Sequence, residues 1–507
     1  MPLVPIKIPP GLERNNDAYE TTDRYWDSNL VRWQSGSIVP IGGWTKLTAT
    51  PLTGPVRKIY VYRDNSDQRH VLVGTGSKLY EDNGSTYVDI TPAALVPLDS
   101  VGTAGGYGTL TYGTSTYGTP RPGPSPIFSP FAYWSFDNWG EDVVMTESAD
   151  GRIFYYSTAT ATVAPAVVTT APTGNNAVAV SQERHVIAVG QVGGGGSVFR
   201  VAWSSREDYT DWNFASTTNS AGFQDLDTHA PLLAATEVRE GHLIHSMSDC
   251  YLMQYVGQPF IFGFTWLSTV AMMHPDSIIS FNGRAAWLGR NGFQVYSGGG
   301  VANLDCPILN DILAEFDPSY GPYRIHGAQN GRFPELWWFY PTRGNTEANR
   351  YVIWNYVENW WAWGMLTRSA MSPAVAYTEP FMGNADGDMF EHDEPDQWTN
   401  AGQPRFQDIF VETGALGVSD RIVDINQLQA ATGDGATALQ VTAYAQYTPE
   451  GTVTTFGPYT PRSDGYCDTR ISGRNVRFRW QPTSDGVWGI GTVRVDIPQQ
   501  QGSGAKR

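Results

Sequence analysis

The chain has 507 residues and a formal charge of −17, with only 16% charged residues against about 25% in an ordinary globular protein. Aromatics reach 13%, with 18 Trp and 26 Tyr, and Gly (54) and Pro (33) are plentiful. This mixture excludes a disordered chain and a helical bundle, and the acidity argues against a protein that grips nucleic acid through its phosphates.

Residues 1–50 read as an arm broken by Pro9-Pro10-Gly11, a short strand at Asn29-Leu30-Val31-Arg32-Trp33 and a turn at Gly42-Gly43-Trp44. Four short β-rich segments follow between Val56 and Ile90, close enough together to form one small antiparallel sheet. Residues 99–130 differ. A Tyr-Gly step recurs at Tyr107, Tyr112 and Tyr117, and prolines then alternate from Pro120 to Pro126. This is a low-complexity insertion. It reads as an exposed loop or as a Tyr-rich contact loop, since Tyr gives much contact area for little side-chain entropy. Tyr107, Tyr112 and Tyr117 are therefore interface candidates.

A weak internal repeat places a small-residue turn before one or two aromatics. It occurs at Gly76–Tyr80, Ala149–Tyr155, Asp249–Tyr255, Asn291–Tyr296 and Ala385–Phe390. Irregular spacing around a common hairpin fits propeller blades with unequal insertions, although a β-sandwich array would give much of the same pattern. The one clear helical stripe is Ile308, Leu309, Ile312, Leu313 and Phe316, with Asp305 as the expected cap and Asp317-Pro318 as the stop. The Trp-dense stretch at 332–365 reads as blade core or, alternatively, as a sugar-binding platform. Near the C-terminus, Val476, Phe478 and Trp480 alternate with Arg477 and Arg479 as in a half-buried strand.

The expected fold is thus all-β: an irregular propeller over 51–407 carrying the 99–130 insertion, preceded by an N-terminal arm and first strands over 1–50. A C-terminal β platform or sandwich over 408–498, a mobile tail at 499–507 and few helices complete it.

Chemistry-bearing motifs are scarce. The sequence has no phosphate loop, dinucleotide fingerprint or nucleophile elbow. Cys250, Cys306 and Cys467 are too few and too dispersed for a disulfide framework or a zinc site, and read as buried thiols. His242 and His245 lack the Glu and spacing of a zinc-protease helix. The acidic run from Asn384 to Glu394 matches a calcium loop only loosely, which leaves Asp386 and Asp388 as weak metal candidates beside a plain hairpin turn. Ser148–Gly151 and Ser484–Trp488 are similar to sialidase turns but lack their full spacing. Trp203–Asp208 with Asp211-Trp212 reads as a tied turn. No cofactor is expected. No apolar run approaches the ~20 residues that span a bilayer, and Met1–Pro5 lacks the order of a secretory signal.

Several runs together resemble the tail nozzle proteins of short-tailed bacteriophages, also called packaged-DNA stabilisation proteins. They are Gly42-Gly43-Trp44, Pro51–Gly54, Tyr62–Asn65, Val73–Thr75, Lys78–Tyr80, Asp89–Pro92, Trp203–Asp208, Tyr251–Gly257, Trp287–Gly289 with Asn291–Phe293, and Arg470–Arg477. The matches span about residues 10–495; the 99–130 insertion is not part of the pattern. The resemblance implies a virion structural protein and not an enzyme: a hexameric ring in the tail, assembled in the host cytoplasm. Such a ring sits below the portal and adaptor rings, retains packaged DNA, conducts it during ejection and carries fibres or spikes on its side loops. Arg474, Arg477 and Arg479 are further interface candidates, because Arg forks suit fixed pairing with carboxylates. Carboxylates facing the bore would repel phosphates within a Debye length of about 8–10 Å, so that double-stranded DNA slides without sticking. The competing reading is a carbohydrate-binding or glycan-cleaving propeller, which would need paired carboxylates beside a Trp-lined pocket.

Overall fold

The computed structural model describes residues 3–14, 18, 21, 23–99, 102–103, 126–127, 133–191, 195–269, 272–373, 377, 379–394, 397–416, 423–432, 439–448 and 451–496. Seven four-stranded antiparallel sheets follow one another along the chain. Their first strands are Val56–Arg63, Trp134–Trp139, Ala177–Val180, Leu232–Val238, Ile279–Phe281, His326–Gln329 and Ala370–Met371. Each first strand abuts the next, and the seventh returns to the first. The protein is therefore a closed seven-bladed β-propeller with these strands around its axis. Five blades carry the sequence repeat, and in each it forms the hairpin between the second and third strands. Blades 3 and 6 have longer loops at that place, so the repeat does not show them.

The ring closes with a strand from the other end of the chain. Gly43–Lys46 is the outer strand of blade 7, with Trp44 opposite His392 and Lys46 opposite Phe390. The Gly42-Gly43-Trp44 run is thus not the expected turn. Its glycines are there for close approach: a Cβ on Gly43 would lie 2.5 Å from the Thr399 carbonyl oxygen, and one on Gly42 would lie 2.8 Å from Asp393.

The blades pack face to face, so their middle strands are buried on both sides. Glu335–Tyr340 is buried at every position. Between blades 5 and 6, Phe293 meets Trp338 at 4.8 Å and Trp361 at 4.7 Å between ring centroids, filling the wedge with offset aromatic contacts. The Trp-dense stretch is therefore blade core.

A second layer is built from both ends of the chain. One sheet joins Val4–Ile6, Val31–Gln34 and Ser37–Pro40 to Ile490–Val495, Val423–Thr432 and Tyr466–Gly473. The other joins Tyr25–Asn29 to Phe410–Thr413, Asn475–Pro482, Leu439–Gln446 and Thr454–Tyr459. Burial alternates strictly along Leu439–Gln446 and Asn475–Pro482, as expected for strands with one face in a core. Val4–Ile6 and the strands from Tyr25 to Pro40 are therefore integral to this platform, and one continuous core runs from it into blades 5 to 7.

The helix is shorter than its stripe suggests. It spans Leu309–Glu315 with Ile308 at the N-cap position and no side-chain cap. Asp305 does not cap it; its carbonyl accepts instead from Trp361 Nε1 at 3.0 Å. The buried Ile308 and Ile312 anchor this element by packing, which removes the need for a polar cap.

Candidate functional surfaces

The propeller axis is the first place to look for a site, because its loops and inner strands converge there. In this chain it is filled by charge. Arg57 donates to Glu347 at 2.6 and 2.9 Å and to Asp99 at 3.2 Å. Arg324 also donates to Asp99, at 3.1 Å, and Lys58 to Asp276 at 2.6 Å. A cavity between Arg57, His274, Arg324 and His326 is about 20 Å³, room for about one water. Burial lowers the Arg57 pKa, but its pairs with Glu347 and Asp99 outweigh that and leave it raised. Burial pushes His274 and His326 down to about 4, so both are neutral at pH 7. This network ties blades 1, 5 and 6 together. It also fixes the root of the 99–130 insertion. Asp99 is held in the network, Gly102 and Thr103 pair with Ile127 and Pro126, and Tyr133 returns by donating to the Leu233 carbonyl at 2.6 Å. Tyr107, Tyr112 and Tyr117 lie outside the described residues.

The second polar concentration lies where platform and propeller meet. Arg32 is 2% exposed and forks onto Glu335 at 2.8 and 3.1 Å and onto Asp393 at 2.9 and 2.6 Å. The Phe333 ring lies 3.7 Å from its guanidinium. Asp393 also accepts from Gly42 N at 2.9 Å and from Asn330 at 3.3 Å. Burial raises the Glu335 carboxyl, whereas Arg32 overcomes burial at Asp393 and holds it low. One platform strand is thereby locked to blades 6 and 7.

This arrangement also disperses the acidic run. Asp393 serves Arg32, and Asp388 accepts from Lys46 at 2.8 Å and Thr48 at 3.3 Å. The Asp386 and Asp388 amides donate to Asn384 Oδ1 at 3.1 and 2.8 Å, shaping a hairpin turn. Among the described residues no three His, Cys, Asp or Glu side chains converge to hold a metal ion. His242 and His245 are buried strand residues, each pushed down to about 4 by burial. In the Trp203–Asp208 segment, Trp203 Nε1 donates to the Ser220 carbonyl at 3.0 Å and Arg206 N to Ser220 Oγ at 2.8 Å, a tied loop.

The arginines singled out from sequence lie on the platform. Arg477 donates to Glu412 at 2.8 Å, and Arg479 lies 3.7 Å from the Phe410 ring and 4.0 Å from Glu412. Arg474 N donates to the Gln446 carbonyl at 3.0 Å. Arg477 and Arg479 thus brace neighbouring strands of their own sheet.

Sequence reasoning missed the outer rim of blades 3 and 4. There Phe260 is 74% exposed, Trp266 53% and Phe223 43%. A groove of about 480 Å³ runs between Phe223 and Phe260 and is lined by Asn219, Gln224 and Gln258 but by no charged side chain. Ile261 sits at φ +65°, a costly conformation for a β-branched residue. A signal was present: no charged residue occurs between Asp249 and Asp276.

No protein-family profile matches the chain, and no curated protein sequence matches it. Among solved structures, it is similar to YCF48 bound to D1 peptide, at 9% identity and a TM-score of 0.42, covering 72% of this chain and 99% of that one. It is also similar to BamB from Moraxella catarrhalis, at 11% identity and a TM-score of 0.36, covering 74% and 96%. A third is the extracellular domain of a putative hybrid two-component system from B. thetaiotaomicron, at 9% identity and a TM-score of 0.30, covering 77% and 43%. Likeness at this level bears on none of their partners or roles, and the propeller assignment stands on the seven sheets and their closed ring.

Proposed function

We propose that this protein is a non-enzymatic structural subunit of a phage tail nozzle, a homo-oligomeric ring that retains packaged DNA and conducts it during ejection. The observation that carries the reading is a division of labour in its polar groups. Arg32, Arg57 and Arg324, at the platform junction and around the axis, each pair with carboxylates, while the exposed groove between Phe223 and Phe260 is lined by no charged side chain. Such a molecule is built to be held against neighbours. The resemblance to nozzle proteins, in short runs ordered from about residue 10 to 495, suggests the class of assembly. The formal charge of −17 suits a conduit that must not bind DNA tightly. Portal–adaptor rings above and fibres or spikes outside are the partners of this reading, and the virion tail its location. The test is genome retention. Particles assembled without the chain fill with DNA and then lose it, and the purified chain restores retention. Particles that hold DNA equally well without it refute the proposal.

A second reading has one observation in its favour. The groove between Phe223 and Phe260 combines aromatic faces with Asn219, Gln224 and Gln258, a chemistry suited to a neutral glycan. Binding of surface polysaccharide that is lost in Phe260→Ala and Gln258→Ala would favour it.

A further inference from the structure

Outer strands of propeller blades expose an unpaired backbone edge, and proteins blunt such edges by keeping them short, charged or covered. Six blades here follow that rule. The outer strands Tyr87–Asp89, Ala166–Val167 and Val301–Asn303 have three residues or fewer. Gly222–Asp225 ends in an Asp225–Arg200 pair at 2.7 Å. Gly43–Lys46 is bridged by Asn400, and Trp360–Met365 is buried beneath platform strands.

Blade 4 breaks the rule. Its outer strand, Ile261–Ser268, is eight residues long, carries no charge and ends its sheet. Trp266 on the strand and Phe260 just before it are largely exposed. The platform has a matching feature. Thr454–Tyr459 ends the five-stranded sheet, is mostly exposed and has no charge, with Val453 and Tyr447 exposed beside it; Pro458 offers no N–H, so the donors of this edge lie in Thr454–Gly457.

We infer that the blade 4 edge of one copy pairs with the Thr454–Tyr459 edge of a second copy of this chain. The inference rests on the ring reading above and specifies its contact. Charge selects the occupant. Copies carrying −17 each repel, and they meet at least cost through edge strands that themselves carry no carboxylate. Both edges meet that condition: no charged residue lies between Asp249 and Asp276 or between Glu450 and Arg462. Topology selects the symmetry. The platform packs on blades 5 to 7, and blade 4 is outside that shared core, so the two edges are different surfaces. A contact between different surfaces is head-to-tail, and repetition closes it into a ring when the rotation between copies closes, as the ring reading requires. Main-chain hydrogen bonds supply affinity, and the flanking aromatics supply register.

The test uses the purified full chain, Trp266→Lys, Thr455→Lys, and an equimolar mixture of the two variants, in sedimentation velocity. Lys on an edge blocks strand addition, and both sites are exposed, so equal melting temperatures are required of the variants; Phe260→Lys is a second blade 4 variant. The wild type is expected to sediment as a closed oligomer and each variant as one 55.7 kDa chain. The mixture is expected to form a dimer and stop, because only one live edge of each kind remains. If Thr455→Lys still self-associates while Trp266→Lys does not, blade 4 pairs with itself or another edge and the inference is overturned. If both variants still form the wild-type oligomer, the inference falls while the ring reading stands. A wild type that stays monomeric overturns both.

Discussion

Replacing Arg32 by Met tests the junction between platform and propeller. The substitution keeps an unbranched apolar stem and removes the guanidinium that forks onto both Glu335 and Asp393. Both carboxylates are buried, and breaking a buried pair by removing one partner costs about 3–5 kcal/mol. Two carboxylates lose their partner here, so the loss is expected at the upper end, about 5 kcal/mol. The assay is urea denaturation at pH 7 and pH 5. Stranded carboxylates take up protons, so the penalty shrinks as the pH falls. Adding Glu335→Gln and Asp393→Asn to the Arg32→Met chain removes the stranded charge and keeps acceptors, so it recovers much of the midpoint. A loss under about 1 kcal/mol, or one indifferent to pH, refutes the reasoning.

Three further outcomes follow from the fold. Burial holds His242, His245, His274 and His326 at about 4, below the ordinary value, so below pH 6.5 the unfolded chain binds protons that the folded chain refuses. Burial instead raises Asp137 to about 7 and Glu147 to about 8, which favours the folded state at low pH. Burial also lowers His185 and His392 and raises Glu335, Glu391 and Glu412, so six lowered histidines stand against five raised carboxyls. At up to about 1.4 kcal/mol per pH unit each, the histidines prevail narrowly and stability falls slightly as pH drops from 6.5 to 4; a melting temperature that rises across that window contradicts this. Trp44→Ala removes a 3% exposed ring stacked on His392 at 4.8 Å in the closing strand, and is expected to cost about 3–5 kcal/mol in thermal or urea unfolding, with blade 7 losing hydrogen-exchange protection first. Gly387→Ala sets a Cβ 2.2 Å from the Leu52 carbonyl oxygen at φ +87°, and is expected to cost more than about 1 kcal/mol in urea unfolding, whereas Gly344→Ala, with open space around it at a similar φ, costs less.

The sequence displayed the propeller because blade hairpins repeat a local chemistry. Ala149–Tyr155 and Asn291–Tyr296 each need a tight turn followed by an aromatic that fills a wedge. It did not display the closure. Gly43–Lys46 is chosen by partners about 350 positions away, and Gly-Gly reads as a turn until the crowding at Thr399 is seen. The same holds for Arg32 with Glu335 and Asp393, since an ion pair across 303 or 361 positions leaves no local pattern. Asp305 reads as a cap because caps are local; burial of Ile308 overrode it. Arg477 and Arg479 were legible as an outward face, but not as a pair braced by Glu412. The blade 4 rim was visible only as an absence of charge.

The central claim is that this chain assembles as a ring. Electron microscopy of the purified full chain at micromolar concentration tests it most directly. The account predicts six-fold rings with an open bore between subunits, each subunit a seven-bladed disc with a platform on one side. Single discs, in the absence or presence of portal–adaptor complexes, contradict it.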